Sequence, residues 1–364
     1  MFIRVHFIAS LVSENKQEIN AVIPIIVESL KHSSSDVHKA ALHCLSGLGA
    51  QSKFQQEIQA VIPIVVDSLK NSNITVHCAV LDSLSALGAQ AEFQQQIQAA
   101  IPMVVESMKD SDASVSRAAR ECLSGLGAQA QFQQEIRAMI PIVVESLKHS
   151  NTNVRHTVLD YLSGLGAQAE FQQEIQAAIP MVVESVKDSN ASVSRAALKC
   201  LSGLGAQAKF QEEIQPAIPI VVESLKKSYA CEAALHCLSD LGAQAKFQQD
   251  IQAVIPIVVE SLKDSNKCVR EAVLNCLSGL GAQAKFKQEI RAVIPIVVES
   301  VKDSEASVSR AALRCISGLG AHVEFQREVR AAIPIVAELA EHSNIWLPAL
   351  HCFFSLGVQG MHFT

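Results

Sequence analysis

Two groups of residues in this chain have types and spacings that could do chemistry. The first is the heptapeptide LSGLGAQ, at residues 45–51 and again at 123–129, 162–168, 201–207 and 277–283. Paired glycines of this kind can wrap a phosphate with backbone N–H groups, but such a loop occurs once, after a strand and before a helix. The second is a set of His–Cys neighbours, His43 with Cys44, His236 with Cys237 and His351 with Cys352. Those side chains serve elsewhere as base and thiol nucleophile, or as metal ligands.

Placement argues against both chemistries. Of 16 glycines, 15 fall in this motif, and its second glycine returns as Gly49, Gly88, Gly127, Gly166, Gly205, Gly242, Gly281, Gly320 and Gly357. The first glycine is replaced by Ala86, Asp240 and Ser355. A residue that recurs so strictly at the end of an apolar helical pattern is punctuation. The expected role is a left-handed residue just past a helix, where any side chain is penalised, with the first glycine marking a crowded last turn.

The His–Cys neighbours fail for a different reason. Adjacent residues on a helix point in different directions, so His43 and Cys44 cannot share a proton or a metal as residues three or four apart could. The same cysteine place holds Ser83 and Tyr161 in other copies, which shared thiol chemistry would not permit. Small, buried, structural thiols are expected there. Cys78, Cys231 and Cys268 lie outside that place, near the start of a helix, and are expected to be more accessible. The sequence assigns no catalytic residue, no metal site and no cofactor.

The element that positions these residues is a repeat. An Ile-Pro dipeptide marks it, with prolines at Pro24, Pro63, Pro102, Pro141, Pro180, Pro219, Pro256, Pro295 and Pro334, every step being 39 residues except one of 37. The short step falls around Tyr229, in LKKSYACEAAL, and a matching shortening occurs in EHSNIWLPAL. A deletion of this kind identifies the connection between elements. Within a unit, FQQEIQAVIPIVVDSLK places Phe54, Ile58, Ile62, Val65 or Val66, and Leu69 on one side of a first helix. Pro63 lies inside that pattern and removes a donor, so the helix either kinks or splits there. A second helix reads ASVSRAALKCLSGL, with Val193, Ala197, Cys200, Leu201 and Leu204 as its buried stripe and Ser189 or Asn190 as its cap.

Composition agrees with stacked helices. The chain of 364 residues is 49% hydrophobic but only 4% aromatic, with 30 basic against 36 acidic residues. That balance offers no basic surplus to displace counterions from a nucleic acid. Of the ten cysteines, seven recur at one place in the repeat, and a place cannot pair with its own copies a repeat away. Reduced thiols and a cytoplasmic, or else nuclear, location are therefore expected. The start, MFIRVHFIAS, is interrupted by Arg4 and His6, so neither a signal peptide nor a membrane span is expected.

The unit AIPMVVESVKDSNASVSRAALKCLSGLGA, residues 178–206, resembles a HEAT repeat, with proline in its first helix, an aspartate at the turn and then Val-x-x-Ala-Ala. The added KFQQEIQ segment and the LSGLGA ending are similar to the armadillo unit. The resemblance to the HEAT and armadillo repeat superfamily covers nearly the whole chain. It implies an all-α fold, a right-handed α-solenoid of about nine 39-residue repeats spanning 1–364, with a partial repeat at 1–13 and nine repeats over 14–360. Departures limit what it carries. The arginine that HEAT units place directly after valine appears as Arg155 and Arg270, while Arg117, Arg195 and Arg310 come one residue later. The Trp and Asn with which armadillo nuclear-import adaptors grip a basic peptide are replaced by Lys199 and Gly203, or His43 and Gly47. HEAT-type hydroxylases hold two irons with His-Glu dipeptides, and this chain has none; His342 follows Glu341 in the reverse order. HEAT-like DNA glycosylases use a basic, aromatic-lined cleft that one Trp and two Tyr fit poorly.

The resemblance implies a non-enzymatic scaffold whose second helices line a concave face that binds a protein or an extended peptide. The internal copies show where that face varies. Pairs four residues apart change freely in charge: Lys39 and His43, Cys78 and Asp82, Arg117 and Glu121, His156 and Asp160, Arg195 and Lys199, Glu232 and His236, Glu271 and Asn275, Arg310 and Arg314, and Leu347 and His351. Residues so spaced lie side by side. The ladder is read as the partner face, or as plainly solvated positions, with Arg117–Glu121 and His156–Asp160 as ordinary surface ion pairs. The like-charged rungs Arg195 with Lys199 and Arg310 with Arg314 do not stabilise themselves, and are the expected anchors for acidic groups on a partner. The alternative is the recognition or regulatory arm of a larger multidomain protein; a HEAT-type metalloenzyme or nucleic-acid-binding protein is a weaker one. Neither end of the sequence carries an evident polar cap, which predicts a missing flank or end-to-end self-association. No nucleic-acid or membrane partner is expected.

Overall fold

A computed structural model of the chain describes residues 16–342. The partial repeat at 1–13, the shortening at EHSNIWLPAL, the rung Leu347–His351 and the uncapped ends lie wholly or partly outside those residues. The described residues form helices and turns with no strand among them, in two compact units that divide after Val182. Each unit is an α-solenoid of helical hairpins.

A repeat opens with a 3-10 turn such as Ala245–Phe247, continues as a first helix, Gln248–Glu260, closes with a second turn, Ser261–Lys263, and returns as a second helix, Lys267–Gly281. The phenylalanine of the opening turn is fully buried in every described copy, from Phe54 to Phe325. Each such ring contributes up to about 3 kcal/mol of burial that a lone hairpin could not supply. The predicted stripes are the core: Phe54, Ile58, Ile62, Val65 and Leu69 on the first helix, and Val193, Ala197, Cys200, Leu201 and Leu204 on the second, are all buried. Asn190, not Ser189, is the cap, its side chain accepting from the N–H groups of Ser192 and Val193. Asn73, Asp112, Asn151 and Asn266 cap their helices in the same way.

Proline produces both outcomes. Helices such as Gln94–Ser107 and Gln248–Glu260 run through Pro102 and Pro256. At Pro219 the helix splits into Gln211–Ile214, the turn Gln215–Ala217 and Ile218–Glu223, because Pro216 removes a second donor one turn earlier. The split between Gln55–Gln59 and Ile62–Asp67 has no second proline, and nothing in the structure explains it.

The short repeat differs from the expectation that only the connection shrinks. Its second helix, Cys231–Gly242, has 12 residues where the others have 15, and its start lacks a side-chain cap. The deletion removes the helix's first turn, and a backbone turn takes over, with the N–H groups of Ala230 and Cys231 both donating to the Lys227 carbonyl at 2.9 Å. Cys231 is consequently buried, contrary to its expected accessibility, whereas Cys268 is exposed and Cys78 half-buried.

The repeated glycine also departs from its expected role. Gly49 is the last residue of Ser35–Gly49, and Ala50 after it stays right-handed at φ −69° and ψ −13°. At several copies what excludes a side chain is the next repeat: a Cβ on Gly49 would lie 2.5 Å from Leu87 Cδ2 and 3.0 Å from the Phe93 ring, and one on Gly242 would lie 2.5 Å from Leu280 Cδ2, whereas one on Gly127 would come no closer than 3.5 Å to any neighbour. The first glycine is not uniformly crowded, since a Cβ at Gly47 or Gly164 would meet nothing within 4 Å.

Candidate protein-interaction surface

Stacking lays the second helices side by side. In the first unit Ser35–Gly49, Ile74–Gly88, Ala113–Gly127 and Thr152–Gly166 follow one another in contact; in the second, Ala191–Gly205, Cys231–Gly242, Lys267–Gly281 and Ala306–Gly320 do. Their buried stripes point into the stack, so the pairs four residues apart face outward. Lys39, His43, Asp82, Arg117, Glu121, Arg195, Lys199, Glu232, His236, Asn275, Arg310 and Arg314 are exposed, and Cys78, His156, Asp160 and Glu271 are half-buried.

Between neighbouring second helices this face is indented. Arg195, Lys199 and Ser202 form one wall of a groove of about 360 Å³, Glu232, His236 and Asp240 the other, and Leu198, Ala233 and Cys237 complete the lining. The Ser202 hydroxyl donates to the Asp240 carboxylate at 2.5 Å, tying the two helices together. Asp240 stands where most repeats carry the first glycine, so that substitution gives the groove its acidic wall.

The rungs differ in how they are balanced. His156 Nδ1 lies 3.7 Å from Asp160, as its spacing predicts. Glu121 does not pair with Arg117 as expected: Arg120 lies 3.2 Å from Glu121 and reaches 3.4 Å across to Asp160 in the next repeat. Arg120 was not among the predicted residues. Its signal is a break in a leucine column, because Arg120 occupies the place of Leu198 and Leu313. Arg117, Arg195, Lys199, Arg310 and Arg314 make no ion pair among the described residues.

Two of the residues directly after the recurring valine bridge the seam between repeats. Arg270 forms a two-pronged pair with Asp303 at 2.8 and 2.9 Å, with the two side chains only 13% and 15% exposed. The guanidinium's hydrogen bonds hold the Asp303 carboxyl below the usual carboxylate range. Where valine is followed by Ser116, its hydroxyl meets Thr157 Oγ1 of the next repeat at 2.7 Å. At other copies the same place bonds within its own repeat, the Ser194 hydroxyl donating to the Val186 carbonyl and that of Ser309 to the Asp303 carbonyl.

Of the described cysteines at the recurring place, Cys200 and Cys237 are buried like the three that follow, while Cys44 is half-buried, contrary to expectation. Cys122, Cys276 and Cys315 are buried, and burial pushes their thiols up to about 12. No cluster of three or more His, Cys, Asp or Glu side chains with metal-binding geometry occurs among the described residues. No helix among them is long and apolar enough to cross a membrane.

The opposite side of the hairpins carries a feature that the sequence reading missed. Ile25, Ile64, Ile142, Ile257 and Ile296, each following the repeat proline, are 37–52% exposed. The signal was present in the pattern, since the residue after the proline lies off the first helix's buried stripe.

Residues 61–230 match the family described as stalled ribosome sensor GCN1-like HEAT repeats, and residues 254–284 match the HEAT repeat. Solved structures show the same architecture. Kap121p bound to Nup53p superposes with a TM-score of 0.67 at 15% identity, over 97% of this chain and 42% of that one. The karyopherin Kap121p bound to the extreme C-terminus of the protein phosphatase Cdc14p gives 0.67 at 14% identity, over 97% and 43%. The chain therefore spans less than half the length of these neighbours. No curated protein matches it. With the hairpin stack and these matches together, the segments 61–230 and 254–284 are HEAT repeats, and the described residues share the HEAT-type solenoid fold.

Proposed function

We propose that this protein is a non-enzymatic scaffold that holds a protein or an extended peptide along the face made by its second helices, with acidic groups of the partner at Arg195 and Lys199 and at Arg310 and Arg314. The carrying observation is the pair of like-charged rungs, exposed and without an ion pair among the described residues, the first of which, Arg195 with Lys199, lines a groove whose lining is partly apolar. Exposed unpaired cations on a rigid face cost the free protein little and gain charge complementarity on binding. The net charge of −6 works against a nucleic-acid partner. A reducing compartment, cytoplasmic or nuclear, belongs to the same proposal and rests on the buried, high-pKa thiols.

A second reading, the recognition arm of a larger protein, is favoured by one observation: the chain matches under half of each karyopherin neighbour. Both readings predict the same face. The test is affinity capture from native lysate with the wild-type chain and with Arg195, Lys199, Arg310 and Arg314 reversed to Glu. Loss of specific partners from the reversed protein is expected. Equal recovery would remove the assignment.

A further inference from the structure

We infer that the segment bound across the second unit is an extended chain with two acidic clusters about eight residues apart and a basic residue between them. This rests on the reading of the second helices as the binding face and adds the charge order of the partner.

The order follows from the row of helices. Ala191–Gly205 carries Arg195 and Lys199, Cys231–Gly242 carries Glu232 and Asp240, Lys267–Gly281 carries Glu271, and Ala306–Gly320 carries Arg310 and Arg314. Consecutive helices in that row are in contact. Packed helix axes are 8–10 Å apart, so three steps separate the basic rungs by about 27 Å, which an extended chain rising about 3.3 Å per residue crosses in about eight residues. The pattern met by a segment laid across the helices is positive, negative, negative, positive.

The groove adds detail at the first step. Its basic wall (Arg195, Lys199) and acidic wall (Glu232, Asp240) face one another, and Ala233, half-buried, lines it above the buried Leu198 and Cys237. The inference places a small apolar side chain against Ala233 between those walls, followed by a basic residue. Glu232 and Glu271 make no ion pair among the described residues, so both are available to that basic residue. A uniformly acidic peptide, or a nucleic acid, would bring negative charge against Glu232, Asp240 and Glu271, and like-charge juxtaposition is the main device by which such faces reject wrong partners.

The test uses the full chain and a fluorescein-labelled synthetic peptide with two Asp-Glu pairs about eight residues apart, an alanine beside the first pair and a lysine midway. Fluorescence anisotropy reads its affinity. Comparators are the same peptide with the spacer halved, the same peptide with the lysine replaced by Glu, and a single-stranded oligonucleotide. Protein variants are Arg195→Glu with Lys199→Glu, and Arg310→Glu with Arg314→Glu, their folding checked by circular dichroism. Each variant, and each peptide change, is expected to weaken binding by about tenfold or more, with the oligonucleotide weakest. Indifference to spacer length, equal affinity for the uniformly acidic peptide, or no peptide binding at all would overturn the inference. If peptides fail while charge reversal still abolishes lysate capture, the scaffold reading stands and only the charge order falls; if capture is also unaffected, both fall.

Discussion

Arg270 and Asp303 belong to consecutive repeats and meet across their seam through two hydrogen bonds, 2.8 and 2.9 Å long, in a place where neither side chain is more than 15% exposed. A two-pronged, largely buried pair contributes more than the exposed Glu–Lys pairs along the first helices, such as Glu260 with Lys263, whose side chains are 69% and 76% exposed. Asp303→Asn is expected to lower stability by about 1–3 kcal/mol, against almost nothing for Glu260→Gln.

The same pair fixes a pH dependence. Asp303 has its folded pKa depressed by Arg270, so its stabilisation is fully present above the unfolded carboxylate value, about 3.9, and is lost as pH falls through the lower folded value. The difference in urea midpoint between wild type and Asp303→Asn is expected to be full at neutral pH and to close in strong acid. A difference that persisted there would deny the pair its charge-dependent role.

The two glycines of one motif are predicted to respond in opposite ways to alanine. Gly49→Ala drives a methyl group into Leu87 and Phe93, both buried, and should cost about 1–3 kcal/mol by overpacking. Gly47→Ala meets nothing within 4 Å and should stabilise its helix by up to about 1 kcal/mol. Thermal melts of the two single variants give the comparison directly. Similar losses in both would mean that close approach of the next repeat is not what selects glycine.

Thiol labelling should separate the cysteines by place. Cys268 is exposed, while Cys276 and Cys315 are buried with thiols pushed up to about 12. Under native conditions, maleimide followed by peptide mapping is expected to mark Cys268 first and to leave the other two unmodified until the protein is unfolded.

Helix starts offer an internally controlled measurement. Asn190 caps Ala191–Gly205 through two backbone N–H groups, whereas Glu305 makes no side-chain cap for Ala306–Gly320. Asn190→Ala should cost about 1 kcal/mol and Glu305→Asn should gain a comparable amount. Chemical denaturation of both variants checks the sign of each.

Much of this architecture was legible along the chain. The 39-residue period, the two helices per unit, the buried stripes from Phe54 to Leu69 and from Val193 to Leu204, and the outward position of the pairs four residues apart are all properties of a single helix's periodicity. Local geometry fixes which side chains share a helix face, and a run of similar units then has only one economical way to hide its apolar stripes.

What only the tertiary structure decided depends on distances between repeats. The glycine excluded a side chain because Leu87 approaches from the following unit, not because of its own backbone angles. Glu121 turned to Arg120, and Arg120 also reached Asp160, because the next helix brought that carboxylate within range. Arg270 found Asp303 while Ser116 found Thr157, by the same rule. How closely stacked helices approach, and which side chains meet between them, is set by how they pack and cross, and no pattern read within one repeat contains that information.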